Sequence, residues 1–336
     1  MKAQLLRATA ALEENPAPLT LEDVPDPVLD AGEVLLKVTR CGVCHTELDE
    51  IEGRMPPPRL PVILGHQVVG IIEEGGNKGS RVGAAWIASA CGDCDFCNSG
   101  RENLCPDFKA TGRDIDGGYA EYMKVRADFV HPIPDSISDS EAAPLLCAGA
   151  IGYRSFRLSN LQDGGSIGLM GFGGSNHLVL KLARFKFPNS KVFVFSRNPQ
   201  EREFALSLGA SWAGGIDRNP LTALDAVIDT TPVWGPGIEA LKILKPGGRL
   251  VINAIRKDET DRDVLLQLNY PEHLWMEKEI KSVANVTRED VSDFLKLAAE
   301  AGIKPEYQEY DMKDANQALI EMKQGKIRGA KVLTVN

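Results

Sequence analysis

The sequence predicts an α/β protein of two parts, a β-rich domain and a doubly wound parallel sheet. Three observations carry that expectation. At 336 residues the chain is long for a single core. Up to Gly149 it holds short apolar runs broken by proline and glycine. From residue 166 onward apolar runs alternate with helical stretches, which is the pattern of βαβ units.

Bulk properties narrow the function. Net charge is −9 and the pI is about 5.2, which argues against nucleic acid or an anionic membrane as partner, since both require basic surface. No apolar run approaches the ~18–20 residues of a membrane span. Arg7 breaks the N-terminal apolar stretch, and Glu13 and Glu14 stand where a signal-peptide cleavage site is expected. The expected compartment is therefore the reducing cytoplasm, where seven cysteines point to metal binding or catalysis.

In chain order, residues 1–40 read as β-rich, with a strand at 34–38 and prolines at Pro16, Pro18, Pro25 and Pro27 in the loops. Residues 54–61 are a proline-rich loop. Residues 62–72 read as buried strands hinged at Gly65 and Gly70, with His66 between them. Short strands follow at 120–125 and 129–133. Past Gly149 the expected strands are 166–170, 191–195, 224–228 and 249–253, with helices at 176–184, 199–208 and 234–244. Two helices, 289–300 and 313–322, and a strand at 330–335 are too few for a third domain and should complete the first.

Three stretches carry chemistry. Cys41-Gly-Val-Cys44-His45-Thr46 concentrates two thiols, an imidazole and a hydroxyl. It reads as a redox pair, as part of a zinc site, or as a nucleophile beside a base. Cys91, Cys94, Cys97 and Cys105 stand as C-x2-C-x2-C-x7-C in a polar, glycine-bearing loop. Four thiolates so spaced suit a structural zinc ion, with an iron–sulfur cluster as the alternative. Gly171-Phe172-Gly173-Gly174-Ser175-Asn176 follows an expected strand and opens an expected helix. In that context glycines permit a tight turn and close approach to a pyrophosphate, so the turn reads as a dinucleotide site, with Asn176 at the place usually held by a third glycine. The next strand ends in Ser196 and Arg197, where an NAD site wants a carboxylate, and no carboxylate competes until Glu201. A hydroxyl and a guanidinium there favour the 2′-phosphate of NADP(H) over NAD(H).

These segments, in this order, resemble the zinc-dependent medium-chain alcohol dehydrogenases, in particular a bacterial branch near the cinnamyl-alcohol-type enzymes. The likeness rests on Cys41-Gly-Val-Cys-His-Thr-Glu, Gly65-His66-Gln67-Val68-Val69-Gly70, the loop from Cys91 to Cys105, Gly117-Gly118-Tyr119-Ala120-Glu121-Tyr122, Ala143-Pro144-Leu145-Leu146-Cys147-Ala148-Gly149 and the glycine turn. It implies a GroES-like catalytic domain over 1–149 and 283–336, interrupted by a Rossmann domain over 150–282. It also implies Cys44, His66 and Cys147 as ligands of a catalytic zinc, alongside the four-cysteine zinc, hence two zinc ions per chain. Thr46 is the implied proton-relay hydroxyl. His45, Gly171, Gly173, Gly174 and Arg328 are implied at the cofactor. The implied reaction interconverts a primary alcohol and its aldehyde by hydride transfer with a nicotinamide, in a homodimer or homotetramer.

The chain departs from the family at three positions. Gln67 replaces the usual Glu after the ligand histidine, Glu47 replaces the usual Asp that supports it, and Asp49 stands where many relatives have a relay histidine. Rival readings are an NAD-dependent alcohol or polyol dehydrogenase, a Cys-x-x-Cys oxidoreductase, a zinc-free reductase of the same superfamily, and a non-catalytic zinc- and nucleotide-binding protein. His131, His177 and His273 lack ligand neighbours in sequence, and Trp86 reads as a core residue of the β-rich domain.

Overall fold

The computed structural model describes all residues except 217, 219–221, 326–328 and 336. Two compact units divide the chain, Met1–Ala150 with Asn285–Asn336, and Ile151–Ala284.

The first unit is built on the strand Glu33–Val43, whose Leu36, Val38 and Cys41 side chains are buried. It sits at the centre of a seven-stranded sheet. On one side it pairs antiparallel with Val68–Glu74, Cys41 lying opposite Val68; on the other it pairs with Ala330–Thr334, Leu333 opposite Cys41. The C-terminal segment thus completes the sheet centred on Glu33–Val43. Tyr122–Arg126 pairs with the opening half of the same strand. A smaller three-stranded sheet joins Leu19–Asp23, Lys2–Leu6 and Val62–Ile63. The core includes Leu6, Leu36, Ile51, Leu64, Tyr119 and Leu319.

The second unit is a six-stranded, all-parallel sheet. Its strands in chain order are Ser166–Met170, Lys191–Phe195, Trp212–Gly214, Leu224–Asp229, Leu244–Ile252 and Glu279–Ser282. Their spatial order is third, second, first, fourth, fifth, sixth. That is the doubly wound order, with its switch point between the first and fourth strands. Ser166–Met170 is buried along its whole length because it has neighbours on both edges, which is why it reads in sequence as a continuous apolar run. Trp212–Gly214 and Glu279–Ser282 escape a reading by pattern. The first is only three residues long, and the second is exposed throughout.

Among the described residues, no helix is long and apolar enough to cross a membrane.

Candidate active site and glycine turn

The strand Glu33–Val43 ends one residue before Cys44, which is the N-cap of the helix His45–Ile51. The chain turns there because Cys44 keeps an extended backbone, φ −131°, while Glu47 returns a carboxylate oxygen to the Cys44 N–H at 2.7 Å. Thr46 is half-buried, and its hydroxyl lies 3.6 Å from Cys44 Sγ. His45 is exposed.

His66 belongs to a segment without regular structure between Val62–Ile63 and Val68–Glu74. Gly42 N–H bonds to Gln67 O on one side, and the N–H groups of Gly117, Gly118 and Tyr119 bond to Ile63, Gly65 and Leu64 carbonyls on the other. Gly65 has φ +97°, and a Cβ there would lie 2.4 Å from the Tyr119 ring and 2.8 Å from Cys41 Sγ. Only glycine fits both demands, and the bend it permits turns His66 inward.

Cys147 sits in a single turn of π-helix, Leu145–Gly149, that continues the capped helix Asp139–Pro144. Gly149 packs against the ring of Phe294, where a Cβ would come within 2.2 Å, and Leu146 fills the space over Gly83.

These three elements bring the Cys44, His66 and Cys147 ligand atoms within 4.8 Å of one another, with His66 Nε2 3.2 Å from Cys147 Sγ. His66 Nδ1 is 2.6 Å from Glu47 Oε1, and both side chains are buried. Burial alone would lower the imidazole pKa; the Glu47 charge and the Cys44 thiol overcome it and push it well up. The Cys147 thiol, then the imidazole, hold Cys44 well below its ordinary value. A thiolate of that kind is what a divalent metal ligates. Two sulfurs and one ring nitrogen converging from separate elements fit a zinc ion with a position left for substrate.

The surroundings depart from sequence expectation in two places. Trp86 is half-buried rather than core, and its ring stands edge-on to His66 at 6.5 Å, with Phe108 behind it at 5.5 Å. Glu50, one helical turn beyond Glu47, is 0% exposed with neither carboxylate oxygen bonded among the described residues. Burial first, and the Glu47 charge second, push its carboxyl well above the ordinary range. Nothing in the local pattern marks Glu50, since a glutamate on a short helix reads as solvated. Asp49 is paired with Arg54 Nε at 2.5 Å. Gln67 is buried against Gly42. Cys41 is a fully buried strand residue, its thiol pushed up by burial.

Cys91, Cys94, Cys97 and Cys105 also converge within 4.8 Å, with Cys91 Sγ 3.8 Å from Cys97 Sγ and 3.5 Å from Cys105 Sγ. Tetrahedral zinc with Zn–S near 2.3 Å separates its sulfurs by about 3.8 Å, so these spacings fit the ion. Backbone N–H groups of Cys91 and Gly92 point at Cys105 and Cys97 sulfurs, each at 3.4 Å. Four protein ligands leave no open position.

In the second unit the glycine turn leaves Met170 at the switch point. Gly171 has φ +76°, and its N–H bonds to Phe195 O at 2.9 Å, tying the turn to the end of the next strand. Gly173 is exposed, with open space where a Cβ would stand. Ser175 Oγ is buried without a partner among the described residues, at the start of the helix Asn176–Lys186. An open glycine and an orphaned hydroxyl at a helix N-terminus fit a phosphate. Asn176 explains the missing third glycine. Its amide, 0% exposed, donates to Met170 O, Gly171 O and Thr230 Oγ1 at 2.8–3.1 Å, stitching the turn to two strands. Gly174 lies half-buried in the turn. Ser196 and Arg197 follow Phe195 directly, Ser196 buried and Arg197 exposed. Arg328 lies outside the described residues.

The remaining histidines are accounted for locally. His131 Nδ1 bonds Ser292 Oγ at 2.9 Å, His177 Nδ1 faces Gly173 O at 3.1 Å, and His273 Nδ1 meets Asn269 O at 2.9 Å.

A family model described as the alcohol dehydrogenase GroES-like domain matches residues 30–135. A probable alcohol dehydrogenase of Mycobacterium tuberculosis is 40% identical over 100% of this chain and 97% of its own length. An alcohol dehydrogenase of Geobacillus stearothermophilus is 34% identical over 96% of this chain and 98% of its own. Among solved structures, a cinnamyl alcohol dehydrogenase of Sorghum bicolor superposes with a TM-score of 0.87 at 27% identity, covering 99% of this chain and 97% of that one.

Proposed function

The chain belongs to the medium-chain alcohol dehydrogenases, and from that premise we propose that it interconverts a primary alcohol and its aldehyde with a nicotinamide cofactor, NADP(H) in preference to NAD(H). The observation that carries the site is the convergence of Cys44, His66 and Cys147 beside the Thr46 hydroxyl. Those three residues hold a catalytic zinc, and Cys91, Cys94, Cys97 and Cys105 hold a second, structural one. Bound there, the catalytic ion supplies Lewis acidity toward the substrate oxygen, and the nicotinamide supplies the hydride acceptor or donor.

The protein's own groups do the rest. Glu47 fixes the His66 ring through the ion-pair contact of its Oε1 with Nδ1 at 2.6 Å, which leaves Nε2 as the ligating atom. Thr46 Oγ1 takes the proton released by the alcohol while giving up its own, so it moves a proton without holding charge. Asp49 is engaged by Arg54, so the proton leaves Thr46 for water. Trp86 and Phe108 offer an apolar wall beside His66, suited to an aliphatic or aromatic carbon chain. Gly171, Gly173, Gly174 and Ser175 cradle the cofactor phosphates. Arg197 supports the NADP(H) preference, because its guanidinium follows the second strand with no carboxylate in the two positions before it.

Seven cysteines, none in a disulfide, support a reducing cytoplasm. A homodimer or homotetramer is the expected assembly. The test is a panel of primary alcohols and aldehydes assayed in both directions with each cofactor, beside zinc content by mass spectrometry. Two zinc ions per chain and turnover with NADPH above NADH support the reading. Turnover only with NADH rejects the cofactor preference, and one zinc without turnover rejects the catalytic site.

A further inference from the structure

Ser196 stands beside Arg197 at the end of the second strand, and its hydroxyl is already engaged. Ser196 is 7% exposed and lies one residue past Phe195, whose carbonyl holds the Gly171 N–H. Its Oγ donates to Glu201 Oε2 at 2.5 Å and accepts from Asn198 N–H at 3.1 Å. A hydroxyl has one proton, and this one is committed to a carboxylate.

Glu201 is carried there by the helix Pro199–Ser207. Asn198 caps that helix, its Oδ1 accepting from Gln200 N at 2.9 Å, and Glu201 stands in the first turn, where the helix dipole favours a negative charge. Arg202 Nη1 donates to Ser196 O at 2.9 Å and Arg197 O at 3.0 Å, which fixes the backbone beneath the pair. In sequence Glu201 lies five residues beyond Ser196 and looks remote; one turn of helix folds it back onto the strand end.

We infer that Glu201 is a specificity-determining residue of this nucleotide subsite: its carboxylate ties up the Ser196 hydroxyl and opposes the 2′-phosphate that Arg197 attracts, narrowing discrimination between NADP(H) and NAD(H). The inference rests on the reading of the glycine turn as the dinucleotide site. A 2′-hydroxyl tolerates the carboxylate and can donate to it. A 2′-phosphate meets like charge and finds no donor at Ser196.

The test is direct binding rather than turnover. Dissociation constants for 2′,5′-ADP, 5′-ADP, NADP⁺ and NAD⁺ are measured by calorimetry on the zinc-loaded protein, on Glu201→Gln and on Arg197→Ala, with Glu201→Ala as a second removal of the charge. Both Glu201 variants should tighten 2′,5′-ADP and NADP⁺ about tenfold and leave 5′-ADP and NAD⁺ within about threefold, the size expected for one screened charge at close range. Arg197→Ala should weaken only the 2′-phosphorylated ligands. Equal shifts for both ligand classes, or no shift, overturn the role of Glu201 while an Arg197 effect leaves the site itself standing. No binding of any of the four ligands to any of the proteins overturns the dinucleotide site and this inference together.

Discussion

Glu47 bears on the metal site through two contacts at once. Its Oε1 makes an ion-pair contact with His66 Nδ1 at 2.6 Å and its Oε2 accepts from Cys44 N–H at 2.7 Å, so one buried side chain touches and orients two ligand residues. Glu47→Gln keeps the length and shape but offers a single acceptor, and turns an amide NH2 toward one of those partners. A charge-assisted hydrogen bond is lost and a buried donor is left without an acceptor, each a matter of about 1–3 kcal/mol. Losing the orienting partner of a metal-ligating histidine typically lowers metal affinity about 10–100-fold. The four-cysteine loop shares no residue with this cluster and should not respond. The assay is zinc per chain by mass spectrometry across a chelator titration, with circular dichroism to confirm folding. The wild-type protein should lose its weaker zinc at about 10–100-fold higher chelator than Glu47→Gln, and the tighter zinc of both should behave alike. Glu47→Asp retains both acceptors on a shorter arm and should fall between. A folded Glu47→Gln protein that holds both zinc ions as firmly as wild type would refute the reasoning.

Three further outcomes follow from the same geometry. Thr46→Ala should cut kcat by about 10²–10⁴ with zinc content unchanged; turnover near the wild-type rate removes Thr46 from proton transfer. Gly65→Ala places a Cβ 2.4 Å from the Tyr119 ring at φ +97°, so it should destabilise the first unit by roughly 2–4 kcal/mol and release the zinc that His66 helps hold. A wild-type denaturation midpoint with full zinc content would contradict it. His131 and His177 are buried and held neutral, each lowered to about 4, chiefly by burial. The unfolded chain binds their protons below its ordinary value of about 6.5, so stability is present at neutral pH and is lost as pH falls toward 4, by about 2 kcal/mol per histidine already at pH 5. Urea midpoints at pH 7 and pH 5 should differ accordingly, and His131→Asn and His177→Asn should flatten the difference in the first and second unit respectively; pH slopes equal to wild type speak against it.

Much of the fold is legible because its signals are local. Ser166–Met170 is buried along its whole length and the strand Leu224–Asp229 carries the buried apolar core Ala226-Val227-Ile228, and both show as apolar runs. The helix Arg288–Ala301 opens on a Thr287 cap and stops at Gly302 with φ +60°. The helix His45–Ile51 was not legible, because seven residues that bury Glu47, Asp49 and Glu50 show no apolar stripe. Trp86 was misjudged for a related reason. A tryptophan in a β-rich stretch is ordinarily core, whereas Trp86 is only half-buried, with His66 edge-on to its ring.

By itself the sequence determined what short range decides. Four thiols from Cys91 to Cys105 need only a few turns to meet, and a glycine turn needs only a residue free to take φ +76° at the end of a strand. The grouping of His66 with Cys147, 81 residues away, is set by sheet register, a left-handed glycine and a π-turn packed on Phe294, and spacing carries no trace of it; the family resemblance alone pointed to Cys147 in advance. Tertiary structure also decided the electrostatics. Glu47 and Glu50 are equivalent letters one helical turn apart, yet one meets an imidazole and the other finds no hydrogen-bond partner among the described residues. Glu201 reads as a surface charge until helix geometry sets it on Ser196. Residue type fixes which chemistry a side chain can offer, but burial and partners fix which protonation state and which ligand it favours, and both are properties of the folded chain.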